Sequence, residues 1–244
     1  MGLQPNMSHL WQTHLGGDAP YDAQYHDNPR AEIASFINEP PGLVLDIGCG
    51  GGAIGSLIKK KFPGTRVVGI ERNPNAAERA REVLDEVICE SIDAVQAGAH
   101  LSDARFDLVL LLDVLEHLYD PWRSLLHIRD WVVPGARVLA SVPNIRNLVT
   151  LDDLASGQWK YDENGVLDIT HVRFFTKVSV KQLFEETGYT VVALEPLLQR
   201  GLVDRRVVLR GPGRLTTRSV SIKFRDLEDL EDLYAFQYVI DARA

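Results

Sequence analysis

Four glycines in five residues, Gly48-Cys49-Gly50-Gly51-Gly52, separate a short apolar run from a helical pattern, and nothing else in the 244-residue chain narrows its fold as much. Before them, Leu43-Val44-Leu45-Asp46-Ile47 reads as a strand buried on both faces. After them, Ala53 to Phe62 carries Ile54, Leu57, Ile58 and Phe62 at helical spacing. Glycines at such a junction permit positive φ or a close approach of backbone to ligand. Gly48 to Ala53 also fits the pattern G-x-G-x-x-[GA], which taken alone is a weak indication of nucleotide binding.

The unit repeats. Val67-Val68-Gly69-Ile70-Glu71 reads as a second strand, and Asn73-Pro74 starts a helix with an N-cap and a proline at the first helical position. Glu86 to Cys89 is a weak third strand and Phe106 to Leu112 the strongest one. Asp120-Pro121 opens a helix that runs to about Trp131, and Pro134-Gly135 turns the chain into a fifth strand, Arg137 to Val142. Residues 143–176 are mostly polar. Ser179 and Gln182 fit a capping box, although Thr176 serves equally as the cap of that helix. Tyr189 to Leu194 and Tyr234 to Asp241 read as two late strands. Alternating strands and helices predict an α/β fold: a Rossmann-like, doubly wound, seven-stranded sheet, mostly parallel. Ligands then bind outside the carboxyl ends of the strands.

Residues at those ends narrow the ligand. Asp46, two residues before Gly48, would repel a pyrophosphate on the helix N-terminus and suits a cationic centre with an amino group. Glu71 ends the second strand, where an acid accepts hydrogen bonds from ribose hydroxyls. Ile92 and Asp93 follow the third strand and offer an apolar adenine contact and an acceptor for the adenine amino group. Each also has a purely structural reading: Asp46 capping the loop, Glu71 a solvated strand end, Asp93 a helix cap. Together, each on the correct strand end, they favour the ligand.

Here the chain resembles a known family. Leu43 to Gly52 is similar to the first motif of class I S-adenosylmethionine-dependent methyltransferases. Glu71 and Asp93 match the family's ribose-side and adenine-side acids. Phe106-Asp107-Leu108-Val109 with Asp113-Val114-Leu115-Glu116-His117-Leu118 matches its fourth-strand motif, and Val133-Pro134-Gly135-Ala136 its turn into strand five. The resemblance spans roughly residues 24–195, with Tyr234 to Asp241 matching an antiparallel last strand. It implies S-adenosyl-L-methionine as cofactor, held by Asp46, Gly48, Cys49, Gly50, Glu71, Arg72, Ile92, Asp93, Leu112 and Asp113. Tyr25 and Arg30, in the N-terminal region 1–40, are expected to close over it. A finer resemblance, Val142-Pro143-Asn144 followed by Leu167 to Thr176, points to the subgroup associated with sugar and polysaccharide pathways and to ubiquinone-type enzymes. The acceptor expected is a small molecule or glycan, such as a sugar or sugar nucleotide, methylated on oxygen more readily than nitrogen.

The implied reaction needs alignment of acceptor, methyl carbon and sulfur, and a base helps an attacking hydroxyl. His171, in the 143–176 segment on the ligand side, is the first candidate base, and His117, after the fourth strand, the second. His171 otherwise fixes its loop, with Arg173 pairing Asp168. Asn144, Trp159, Tyr161 and Arg173 are the expected acceptor contacts, with Trp159 and Tyr161 alternatively a small satellite core. No metal is expected, because Glu116 and His117 are adjacent rather than three or four apart on one helix face. The competing readings are a nicotinamide-dependent oxidoreductase, which Asp46 opposes, and a non-catalytic binding module, which the intact glycine loop, Glu71 and Asp93 oppose.

Charge is unevenly distributed. Residues 1–199 hold 17 Lys+Arg and 27 Asp+Glu, a net of −10. Residues 200–225 carry a net of +7 and residues 226–244 a net of −5. The acidic body opposes nucleic acid as a partner. Residues 200–232 read as a basic-then-acidic insertion before the last strand, either pairing internally or offering a patch to an anionic acceptor. The whole reads as one domain over 1–244. Two cysteines exclude a disulfide framework, and the longest aliphatic run, Leu108 to Leu112, is far too short to span a bilayer. The N-terminus lacks a secretory h-region, so a cytoplasmic protein is expected. The oligomeric state is not legible.

Overall fold

A computed structural model describes residues 30–95, 101, 105–198 and 213–244. A short helix α1 (Ala31–Ala34) leads into β1 (Leu43–Ile47), α2 (Ala53–Lys61), β2 (Arg66–Ile70), α3 (Pro74–Ala80) and β3 (Glu86–Ile88). Then come β4 (Phe106–Leu112), a 3₁₀ turn (Leu115–His117), α4 (Pro121–Arg129) and β5 (Val132–Pro143). The remainder is α5 (Leu148–Ala155), α6 (Lys177–Glu186), β6 (Thr190–Leu198), β7 (Gly213–Thr216), β8 (Ser221–Phe224), α7 (Leu227–Tyr234) and β9 (Ala235–Arg243).

Seven strands form one sheet in the order β3-β2-β1-β4-β5-β9-β6. Neighbours from β3 to β5 run parallel, while β9 is antiparallel to both β5 and β6. The order reverses at β1 and β4, the switch point where such sheets open a ligand crevice. Alternate strand residues feed two cores, as strands buried on both faces require. Val44, Val67, Leu108, Leu110 and Leu139 pack with Ile54, Ile58, Ala80 and Leu84 on one face. Leu45, Val68, Val109, Leu111 and Val138 pack with Leu125, Ile128, Val180, Leu183 and Phe184 on the other.

Local chemistry sets the helix starts. The Asn73 side chain accepts from the Asn75 and Ala76 amides ahead of Pro74, and Asp120 accepts from Arg123 N ahead of Pro121. At α6 the capping box is Thr176 with Ser179, each side chain bonded to the other's backbone amide, rather than Ser179 with Gln182. Gln182 bonds Glu186 instead.

Gly69, on β2, lies opposite Asp46 of β1 and Val87 of β3. A Cβ there would meet Cys49 Sγ at 2.6 Å and Leu84 Cδ1 at 2.9 Å. Gly69→Ala is therefore expected to cost about 1–3 kcal/mol and to lower the melting temperature by roughly 2–10 °C. An unchanged melting temperature would show that the contact between loop and strand is looser than this packing requires.

The later segments depart from the sequence reading. Within 143–176 lies a helix, α5, capped by Asn147. The late strands run further than their apolar patterns, to Leu198 and Arg243. The described part of 200–232 is an antiparallel hairpin, β7–β8, followed by α7. Leu148, Phe224, Leu230 and Tyr234 bury together as a third, small cluster. The acidic run pairs mostly outside the basic segment: Asp229 and Asp232 with Arg146, and Glu228 with Lys177. Within the described residues the internal pair is Arg225–Asp229, at 3.3 Å. Arg200, Arg205, Arg206 and Arg210 lie outside the described residues, as does Tyr25.

Candidate functional site

The glycine loop leaves β1 through three left-handed residues, Gly48 (φ 71°), Gly50 (φ 54°) and Gly52 (φ 81°). Gly48 has a second constraint, since a Cβ there would lie 2.7 Å from Val114 Cγ2. The amides of Gly48 and Cys49 donate to Ile70 O, at 2.7 and 3.2 Å, which pins the loop over the end of β2. Glu71 completes this anchoring. Its two carboxylate oxygens accept from Gly50 N at 2.9 Å and Asn73 N at 2.7 Å.

Asp46 is 2% exposed, and its Oδ2 has no hydrogen-bond partner among the described residues. Burial, with the Glu71 charge adding to it, pushes its acid up to about 8. Burial likewise pushes the Cys49 thiol up. An orphaned buried carboxylate oxygen beside a second carboxylate is costly unless a cation satisfies it. The donor set thus fits a ligand with one cationic end and hydroxyls, as S-adenosylmethionine has, and not a pyrophosphate. Of the other expected contacts, Ile92 is buried, Arg72 and Asp93 are exposed, and Leu112 is half-buried at the end of β4. Asp93 Oδ1 accepts from Ser124 Oγ at 3.1 Å.

Asp113 takes left-handed backbone (φ 57°), unusual for a residue with a Cβ, directly after β4. Its side chain holds it there. Oδ1 accepts from Ser141 Oγ at 2.9 Å and from Gln237, while Oδ2 pairs with Arg30. Arg30 also donates to Gln237 Oε1 at 2.8 Å. Four chain segments meet in this knot: the entry to α1, the end of β4, β5 and β9.

The two histidines singled out in the sequence come together, with ring centroids 4.8 Å apart and edge to face. His117 is in the 3₁₀ turn after β4, and His171 is in the loop that follows α5. Two backbone bonds staple that loop to the turn, since Val172 N and Arg173 N both donate to Glu116 O at 2.9 Å. His171 Nδ1 lies 3.1 Å from Val166 O, and His117 Nδ1 lies 3.3 Å from Thr170 O. A carbonyl can only accept, so in each ring Nδ1 carries the proton and Nε2 the lone pair. The Thr170 hydroxyl supports this assignment: it donates to Asp168 Oδ1 at 2.6 Å and lies 3.1 Å from His117 Nδ1. Burial, reinforced by His171, lowers His117 to about 4, and burial lowers His171 too, so both rings are neutral at pH 7.

Glu116 sits against them. It is 1% exposed, neither carboxylate oxygen has a hydrogen-bond partner among the described residues, and burial pushes its acid up to about 8. Glu116, His117 and His171 each offer a ligand atom within 4.8 Å of the others. These three side chains come from two segments, the 3₁₀ turn and the loop after α5, and not from one helix face.

The expected acceptor contacts divide. Trp159 and Tyr161 are 39% and 47% exposed and stand edge to face, at 6.4 Å. Trp159 packs on Phe174 at 5.4 Å, and Phe174 on His171 at 6.4 Å, so aromatic rings lead from the surface to the histidines. Asn144, by contrast, is fully buried. Its Nδ2 donates to Asp232 O and Ala235 O, and its Oδ1 accepts from Arg146 N. Those bonds consume its amide, making it a strut beneath α7 rather than an acceptor contact. Arg173 donates to Tyr119 O and lies over the Trp122 ring instead of pairing with Asp168. Asp168 accepts from Thr170. Glu116, Ser141 and Gln237 were missed. Their signal was a polar residue inside an otherwise apolar run: Val-Leu-Glu-His-Leu, Leu-Ala-Ser-Val and Phe-Gln-Tyr-Val.

Known proteins similar to this chain include methyltransferases. The sequence model of a family described as a methyltransferase domain matches residues 21–194. A ubiquinone biosynthesis O-methyltransferase of Aeromonas salmonicida is 29% identical over 153 residues, which cover 61% of this chain and 63% of that protein. The chain thus spans less than two thirds of that relative's length. A crystal structure of an S-adenosylmethionine-dependent methyltransferase from Archaeoglobus fulgidus superposes with a TM-score of 0.63 at 20% identity, covering 91% of this chain and 97% of that one. The plantazolicin methyltransferase, solved with S-adenosylhomocysteine, superposes with a TM-score of 0.60 at 14% identity, covering 96% and 93%. At these identities both likenesses show the fold.

Proposed function

The chain belongs to the S-adenosylmethionine-dependent methyltransferase family, and on that premise we propose that it methylates a hydroxyl oxygen of a small-molecule acceptor. One observation carries the cofactor half of this reading: the buried, unpartnered Asp46 Oδ2 beside Glu71 under a loop with three left-handed glycines. When bound, S-adenosylmethionine supplies a methyl carbon already activated by its sulfonium. Asp46 receives the cationic amino-acid end, and Glu71 has lone pairs left for the ribose hydroxyls after its two amide bonds. Ile92 lies under the adenine with Asp93 beside it. Arg30, locked to Asp113, closes the cleft from the N-terminal side.

The acceptor enters between Trp159, Tyr161 and Phe174. Its hydroxyl reaches His171, whose Nε2 lone pair takes the proton as the oxygen attacks, with His117 behind it. The oxygen-directed reading is supported by the relative's name, an O-methyltransferase. A sugar or sugar-nucleotide acceptor is the second reading, supported by the aromatic rings, which also stack on sugar faces. Residues 143–176 form the acceptor side of the domain. Phenolic and sugar acceptors assayed side by side would separate the two readings. Transfer to neither class, but to RNA, would overturn the small-molecule reading. No helix among the described residues is long and apolar enough to cross a membrane. The free cysteines Cys49 and Cys89 support a reducing, cytoplasmic setting.

The raised Asp46 acid gives a pH signature. Its folded value, about 8, lies above the ordinary 3.8, so across that window the free protein holds a proton that the unfolded chain has lost. This group's contribution to stability therefore falls as pH rises through the window. A ligand ammonium favours the ionised form, so binding below pH 8 releases a proton. Affinity for S-adenosylhomocysteine is expected to rise by up to about tenfold per pH unit between roughly pH 6 and 8, then level. Calorimetry in two buffers of different ionisation heat measures the proton directly. Identical heats at pH 7 would contradict the assignment.

A further inference from the structure

We propose that Glu116, His117 and His171 form a binding site for a divalent transition-metal ion of the zinc type, placed where the acceptor hydroxyl arrives. Ligand atoms from the three residues lie within 4.8 Å of one another. Glu116 is almost completely buried, yet both its oxygens lack a hydrogen-bond partner among the described residues. A buried carboxyl without donors either keeps its own proton or takes a cation, and a metal ion would displace that proton. The imidazoles are arranged as metal-ligating histidines are, with one nitrogen donating to a backbone carbonyl and the other holding the lone pair. For His117 this outer layer runs further, through Thr170 to Asp168. The two backbone bonds to Glu116 O hold the His171 loop against the turn carrying the other two ligands, and the ion would draw ligand atoms that now lie up to 4.8 Å apart closer together.

Two imidazoles and one carboxylate suit zinc and its neighbours better than magnesium or calcium. Three protein ligands leave a position for an outside oxygen, as at catalytic zinc. The inference deepens the proposed function and rests on it, since the outside oxygen is the acceptor hydroxyl. In the metal-free protein the His171 lone pair takes the acceptor's proton. With the ion present, the lone pairs hold the ion. The ion would make the acceptor hydroxyl a stronger acid, so that its proton passes to water; the oxygen's electron pair would then bond the methyl carbon as the methyl–sulfur bond breaks, its pair leaving on sulfur with neutral S-adenosylhomocysteine.

The test is titration of the full-length, chelator-treated protein with Zn²⁺ by calorimetry and with Co²⁺ by visible absorption. The expected result is one ion per chain, with the d–d bands of a low-coordinate Co²⁺ site. His171→Ala and Glu116→Gln should each weaken binding by at least about 100-fold and erase the bands. Because Glu116 lies deep in the fold, His171→Asn serves as a further variant, and S-adenosylhomocysteine binding confirms that each variant is folded. Failure of the wild type to give bands, or bands that persist in folded His171 variants, would overturn the site; persistence would assign the ion to other side chains. Failure to bind S-adenosylhomocysteine would sink the methyltransferase reading instead, and the two titrations report these failures separately.

Discussion

His171→Ala is expected to lower turnover by about 100-fold or more while leaving S-adenosylhomocysteine affinity within a few-fold of wild type. The separation follows from where the residue sits. Its ring touches His117 and Phe174, and its Nδ1 faces Val166 O, all on the proposed acceptor side. The glycine loop, Asp46 and Glu71 are held by bonds in which His171 takes no part. On the proposed role, whether as base or as metal ligand, deleting the ring should remove activation of the acceptor and spare the nucleoside. His171→Asn should fall between wild type and alanine, because its amide nitrogen can keep the bond to Val166 O without supplying an equivalent base. Turnover within a few-fold of wild type in the alanine variant would reduce His171 to a loop fastener.

Glu71→Ala should lose at least about 100-fold in affinity for S-adenosylhomocysteine. Its carboxylate is the acceptor for two backbone amides, Gly50 N and Asn73 N, and is the proposed partner of both ribose hydroxyls. Truncating one partner of a buried, charged hydrogen-bond set typically costs about 2–5 kcal/mol, roughly 30-fold to several thousand-fold. Loss of the Glu71 charge also makes Asp46 a stronger acid, since that charge helps raise it. The proton released on ligand binding at pH 7 should therefore shrink in the same variant. Direct titration measures both effects. An affinity loss below about tenfold would mean that the loop is held, and the ribose met, by other groups.

The parts of the fold that follow from local pattern were legible. The strands β1, β2 and β4, their helices, the N-caps Asn73 and Asp120, and the acids Asp46 and Glu71 all announce themselves within a few residues. What was not legible depends on convergence. Arg30 meets Asp113 across 83 positions, and Gln237 meets it across 124. No spacing rule carries that information, and nothing local marks Gln237 or Ser141 as a partner of Asp113. His171 and His117 were each singled out, but their contact and the closeness of Glu116 to both needed the loop stapled onto the 3₁₀ turn. Asn144 misled for the opposite reason. It stands at the end of β5, where ligand contacts belong, yet α7 covers it, and its amide supports that helix.

The central claim is that the cleft at the β1–β4 switch point takes S-adenosylmethionine. Calorimetric titration of the full-length protein with S-adenosylhomocysteine and, separately, with NADH tests it most directly. The expected result is saturable one-to-one binding of S-adenosylhomocysteine, weakened in Glu71→Ala, and no binding of NADH. Binding of NADH with none of S-adenosylhomocysteine would contradict it.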